Sequence, residues 1–252
     1  MNLTPRAVLS VVRELRKQGV DTRPLGVAGA RELVPLLARE LRAGGDPGAV
    51  VENRVEDVTA VVWVGAADES LLRAADHAGA PIVAVSDEPT LPYVLAGDIV
   101  RVPRGQGFPV EAIADTLAAR LGEDGTAIAA RLPVLRPAVC KHVIAHFARR
   151  NAVVSAAVFI PGVDLPVLTL NQIRMVLRIA QAYGQELDRE RAAELVGVVG
   201  AGFAFRVAAR ELLDLVPVAG WAVKGAVAYV GTKALGEAAI RYFETRSSGG
   251  AR

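Results

Sequence analysis

Few stretches of this chain hold residue types at the spacings chemistry needs. Pro24-Leu25-Gly26-Val27-Ala28-Gly29 is short, apolar and closed by glycine, and Ala30-Arg31-Glu32 follows. A glycine-rich turn lets backbone N–H groups converge on phosphate oxygens, but a phosphate loop also needs a lysine for the β/γ-phosphates and a Ser or Thr for magnesium. The four lysines are Lys17, Lys141, Lys224 and Lys233, and none falls at this loop. Arg31 brings charge, yet Glu32 beside it opposes a polyphosphate. Gly26 and Gly29 are therefore read first as packing glycines. With Ser86 and Asp87 they remain the candidates for contact with a small ligand.

Two other groups have suggestive spacing. His142 and His146 stand i, i+4 with Cys140 close by, but zinc takes three or four protein ligands and no carboxylate or second cysteine joins them locally. A surface or half-buried pair is the expectation, and no metal. Asp68, Glu69 and Asp87 would gather where strands give way to helices, and acids there commonly serve as caps. No catalytic residue and no cofactor is expected. The single Cys140 excludes an internal disulfide and fits a reducing cytoplasm. Met1–Lys17 is charged and helix-like, without the apolar h-region of a secretory signal.

The elements that would position these residues alternate in the first half. Thr4-Pro5 opens a helix. Strands are expected at 24–28, 60–64, 82–85 and 98–102, with a further one within 49–55. Helices are expected at 30–42, 69–78 and 109–121. Strands that are apolar throughout, separated by helices, indicate a parallel sheet covered on both faces. The fold class is thus α/β, a doubly wound, mostly parallel, Rossmann-like sheet, followed by an all-α region. The loops after Val27, Val64 and Val85 fall at the carboxyl edge, where such sheets bind ligands.

Past Gly122-Glu123-Asp124-Gly125 no strand pattern recurs, which divides the chain into an α/β domain at 1–125 and a helical domain at 126–252. Helices are expected at 137–157, 169–183, from Asp188 and at 221–243, with Pro161-Gly162 and Pro166 as breaks. Small residues Ala222, Gly225, Ala228, Gly231, Thr232 and Gly236 recur along the last helix and suit close helix contact. The apolar run Leu195–Phe205 is shorter than the ~20 residues of a spanning helix, and Lys224 interrupts the next apolar stretch. Lys141, Arg149 and Arg150 form a basic end that would suit solvent or anionic lipid headgroups. Net charge is only +2, and no aromatic–basic interleaving marks a nucleic-acid surface.

Leu165-Pro166-Val167-Leu168-Thr169, Gln172, Met175, Ile179-Ala180, Tyr183-Gly184, Val216-Pro217, Gly220, Thr232, Gly236 and Tyr242-Phe243 together resemble a helical domain of unknown function. It occurs in YcjF-type proteins and at the carboxyl end of many bacterial Era-like GTPases. The resemblance covers about Leu165 to Glu244 and implies frequent association with the inner membrane, with no enzymatic activity of the helical domain itself. By order of elements the first half looks like an Era-like domain without its signatures. No Asp-x-x-Gly precedes the Trp63 strand, and Ser86-Asp87-Glu88-Pro89 stands where Asn-Lys-x-Asp would. The expectation is a non-catalytic, pseudo-GTPase-like interaction or regulatory protein. It would be cytoplasmic or peripheral on the inner membrane, with a protein partner or self-association and no nucleic acid. The alternatives are a small-ligand or enzymatic site near Gly29, Gly65 and Ser86, and a membrane-anchored structural subunit.

Overall fold

The computed structural model describes residues 11, 13, 21–102, 107–157, 165–185 and 221–249, with the side chains of 165–166, 221–224 and 247–249 outside that description. The amino-terminal helix, the helix from Asp188, the Leu195–Phe205 run, the Pro161-Gly162 break and the Lys224 side chain lie outside the described residues. The chain divides into two compact units, one of Val20–His142 and the other of Val143–Arg252 together with Met1–Gly19.

In the first unit, five strands form one sheet in the order β2-β1-β3-β4-β5. These are β1 (Leu25–Gly29), β2 (Val50–Glu52), β3 (Ala60–Val64), β4 (Ile82–Val85) and β5 (Ile99–Val100). Every pairing is parallel, with Val27 opposite Val62 and Val64 opposite Val85. All of β3 and β4 is buried, which explains why neither strand alternates in sequence. The order is that of the flavodoxin-like doubly wound sheets, whose switch point lies between the carboxyl ends of β1 and β3.

Helix α1 (Val34–Leu41) follows β1 and α2 (Glu69–His77) follows β3. The connection from β2 to β3 has no helix. Residues 53–59 lead from Glu52, level with Val27 of β1, back to Ala60, level with Leu25, and β1 lies between the two strands they join. The crossover therefore lies flat across β1. Gly26 is where it passes: a Cβ there would strike the Arg54 carbonyl and meet Val58 at 3.3 Å. Val55 and Val58 thereby join Trp63, Leu72, Ile82 and Leu91 in the core on that face.

Three elements of the sheet unit depart from the sequence expectation. Helix α1 begins at Val34 rather than Ala30, because the chain first turns through residues 30–33 and Pro35 then starts the helix, where its missing N–H is not needed. Strand β5 is two residues long, preceded by a 3-10 turn at Ala96–Asp98. After α3 (Val110–Leu121), Gly122 takes φ +56 and the chain forms α4 (Gly125–Arg131) directly past the expected boundary at 122–125. Ile128, Leu132, Leu135 and Val139 are buried, and Arg131 ties this stretch to the sheet unit. Its Nε donates to Asp46 Oδ2 at 2.9 Å, its Nη1 donates to the Thr22 carbonyl at 2.8 Å, and its own carbonyl accepts from the Asp46 N–H at 2.9 Å. The compact unit thus extends past the loop at 122–125.

The second unit is helical. Helix α5 (Arg136–Ala157) runs through the division and continues into it, joined there by α6 (Leu165–Ala182) and α7 (Trp221–Gly249). Pro166 lies in the first turn of α6 and not in a break before it, again because a first-turn residue needs no N–H partner. On α7 the buried positions are Gly225, Ala228, Thr232, Leu235, Gly236, Ala239 and Phe243, a single helical stripe. Gly225 lies against the Ala152 carbonyl and Gly236 against Ile144, so α5 and α7 are antiparallel, whereas Gly231 has nothing within 4 Å. Tyr183 stacks on Phe243 with ring centroids 5.8 Å apart, and with Gln172 beside Thr232 this makes α6 and α7 parallel.

Candidate functional site

A doubly wound sheet offers a ligand the crevice at its switch point, where the loops after β1 and β3 diverge. Here those loops meet. Gly29 has φ +127 and its α-carbon lies against the backbone of Val64, so that any Cβ would strike the Val64 carbonyl. The next N–H, of Ala30, donates to that carbonyl at 2.7 Å. Gly65, with φ +98, sits on the Ala30 methyl: a Cβ would lie 2.9 Å from it. The two glycines thus bring the loops together, and the Ala30 N–H carries the β1–β3 ladder one residue further.

The β3–α2 loop is also fixed from below. Trp63 is buried, and its indole N–H donates to the Ala66 carbonyl at 3.0 Å, satisfying a donor that burial would otherwise penalise. Asp68 then caps α2. Its Oδ1 accepts from the N–H groups of Ser70 and Leu71 at 3.0 and 3.3 Å and from the Ser70 hydroxyl at 2.6 Å. The Ser70 hydroxyl, with these amides, holds the Asp68 carboxyl below the ordinary carboxylate range. Glu69 pairs with Arg73 at 2.6 Å, and Arg73 Nε donates to the Tyr93 hydroxyl at 3.0 Å.

Ser86 is buried at the end of β4. Its N–H donates to the Val100 carbonyl at 3.1 Å and its hydroxyl accepts from the Glu88 N–H at 3.2 Å, closing a turn. Asp87 is exposed on that turn. Of the four residues singled out from sequence, Gly29 and Ser86 thus lie at the carboxyl edge engaged with neighbouring backbone, and Asp87 faces solvent there. Gly26 lies within β1, under the crossover at Arg54 and not at the edge.

The helical unit holds a polar group that sequence reading did not single out as a cluster. Asn151 on α5, Asn171 and Gln172 on α6 and Thr232 on α7 are all buried. Asn171 Nδ2 donates to Asn151 Oδ1 at 2.8 Å, and Asn151 Nδ2 donates to the Thr232 hydroxyl at 3.0 Å. Gln172 Nε2 reaches the same hydroxyl at 3.4 Å. Gln172 and Thr232 belong to the residues carrying the resemblance above, but Asn151, after Arg149-Arg150, reads as the tail of a solvated face. Its partners lie on other helices, beyond the reach of local periodicity.

Residues 123–252 match a family described as a domain of unknown function, DUF697. The chain belongs to the DUF697 family. No curated protein and no solved structure matches it. The DUF697 match begins within the sheet unit, at the 3-10 turn before α4, and takes in the stretch that Arg131 ties to Asp46. Inside the DUF697 segment, His146 is exposed with its ring edge-on to Phe147, His142 is half-buried and Cys140 is buried. Among the described residues no group of three His, Cys, Asp or Glu side chains is placed to hold a metal ion. No helix among them is long and apolar enough to cross a membrane.

Proposed function

We propose that this DUF697 protein is a non-catalytic interaction or regulatory protein whose sheet unit keeps a doubly wound scaffold without a nucleotide pocket. One observation carries the reading: at the switch point, Gly29 and Gly65 let the loops close on each other, and the Ala30 N–H is spent on the Val64 carbonyl. Among the described residues the loops of this edge carry no lysine, and of its acids Asp68 serves as a cap and Glu69 as an ion-pair partner. A scaffold without chemistry of its own acts through surfaces, so the protein works by binding another protein or a second copy of itself. Size-exclusion of the chain from a native lysate tests this, run with and without mild detergent. Elution above the 26.5 kDa of the chain is expected in both; elution as a lone monomer in both contradicts the interaction reading.

A specific observation favours peripheral membrane contact as a second property. Arg149 and Arg150 are exposed on α5, and Val153 in the next turn is 68% exposed. Cations beside an exposed apolar residue are the composition that anionic headgroups attract.

A further inference from the structure

The donors and acceptors of the buried amide cluster do not close on themselves. Thr232 Oγ1 accepts from both Asn151 Nδ2 and Gln172 Nε2, and Asn151 Oδ1 accepts from Asn171 Nδ2. That leaves Asn171 Oδ1 and Gln172 Oε1, on residues 1% and 7% exposed, buried with no hydrogen-bond partner in the protein. Turning an amide over moves the deficit without removing it: an inverted Asn171 would set its oxygen against Asn151 Oδ1. A buried amide oxygen left unpaired costs about 1–3 kcal/mol, and native cores supply such groups with donors. Adjacent on α6, the two orphan acceptors belong to amides that converge on one pair, Asn151 and Thr232.

We infer that this junction of α5, α6 and α7 is an internal binding site for a small uncharged hydrogen-bond donor, a structural water held by Asn171 Oδ1 and Gln172 Oε1. Two features select water over a monovalent cation. Both lone pairs of the Thr232 oxygen already face N–H groups, so the hydroxyl has no electrons left for a metal. The amide nitrogens surrounding it carry positive hydrogens, which repel a cation and tolerate a water. The site holds the register of three helices through directional bonds in an otherwise apolar bundle.

The full-length chain in solution provides the test. Magnetic relaxation dispersion of the solvent should show a long-lived water that is lost in the double variant Asn171→Leu/Gln172→Leu. The side-chain amide protons of Asn171 and Gln172 in the unaltered protein should show cross-relaxation to a water that stays longer than a nanosecond. That second measurement needs no variant and stands even if the double variant fails to fold. Absence of the cross-relaxation overturns the inference. A third arm compares the unfolding midpoint in sodium, potassium and choline chloride at one ionic strength. Equal midpoints are expected, and a rise specific to sodium or potassium overturns the choice of water in favour of a cation.

Discussion

Single glycines in this chain do different physical work, and substitution separates them. Gly29→Ala adds a Cβ against the Val64 carbonyl at φ +127, a conformation that costs L side chains strain beyond the clash. It should destabilise the sheet unit by about 2–4 kcal/mol. Gly231→Ala enters open space in the interior of α7 and should stabilise the helical unit by about 0.5–1 kcal/mol. Urea midpoints of the two variants, moving in opposite directions, check both. Both residues read alike in sequence, because a glycine reports neither its φ nor what lies above its α-carbon. The carboxylates are more legible. Asp68 reads as a cap from its place before Glu69-Ser70, and it is one. Asp21, held down chiefly by the Arg23 guanidinium, and Asp68, held down chiefly by the Ser70 hydroxyl, both have lowered folded pKa values. Such groups contribute stability fully above the unfolded carboxylate value of about 3.9 and lose it as pH falls through the lower folded values. The urea midpoint should therefore drop below about pH 4, and Asp68→Asn should flatten that acid limb.

At the scale of elements, the sheet and its flanking helices were legible because β3 and β4 are apolar throughout and α2 has its capping acid. What sequence could not show is where the sheet unit stops. Gly122-Glu123-Asp124-Gly125 reads as a linker by composition, yet α4 follows at once and returns to the sheet unit through Arg131, Asp46 and Thr22. A linker is recognised by what does not cross it, and those partners are distant in sequence. Ile128, Leu132, Leu135 and Val139, each worth about 1.5–3 kcal/mol when buried, together contribute about 6–12 kcal/mol, comparable to the 5–15 kcal/mol of a whole domain. A fragment of residues 20–142 should therefore be soluble with cooperative unfolding, and one of residues 20–123 should aggregate. Expression of both, followed by circular dichroism and thermal melts, decides it; equal stability of the two fragments would mean that α4 adds nothing to the unit. The switch point was half legible: the missing lysine was plain, whereas the closure by Gly29 and Gly65 depends on strand register.

The whole molecule combines a five-stranded parallel sheet with a DUF697 segment, and none of the described helices is long and apolar enough to cross a bilayer. Any attachment to membrane should then be peripheral, driven by Arg149, Arg150 and exposed apolar side chains, and weakened by ionic strength. After cell fractionation, washes in high salt and then carbonate should release the protein, while retention until detergent would mark an integral anchor. The central claim is that the carboxyl edge is closed to nucleotide. Isothermal titration calorimetry with GTP and with GDP, each in magnesium, tests it most directly. The account predicts no saturable heat below about millimolar ligand, a binding free energy no better than about −4 kcal/mol. Micromolar binding of either nucleotide would contradict it, since the loops that Gly29 and Gly65 bring together would then have to part.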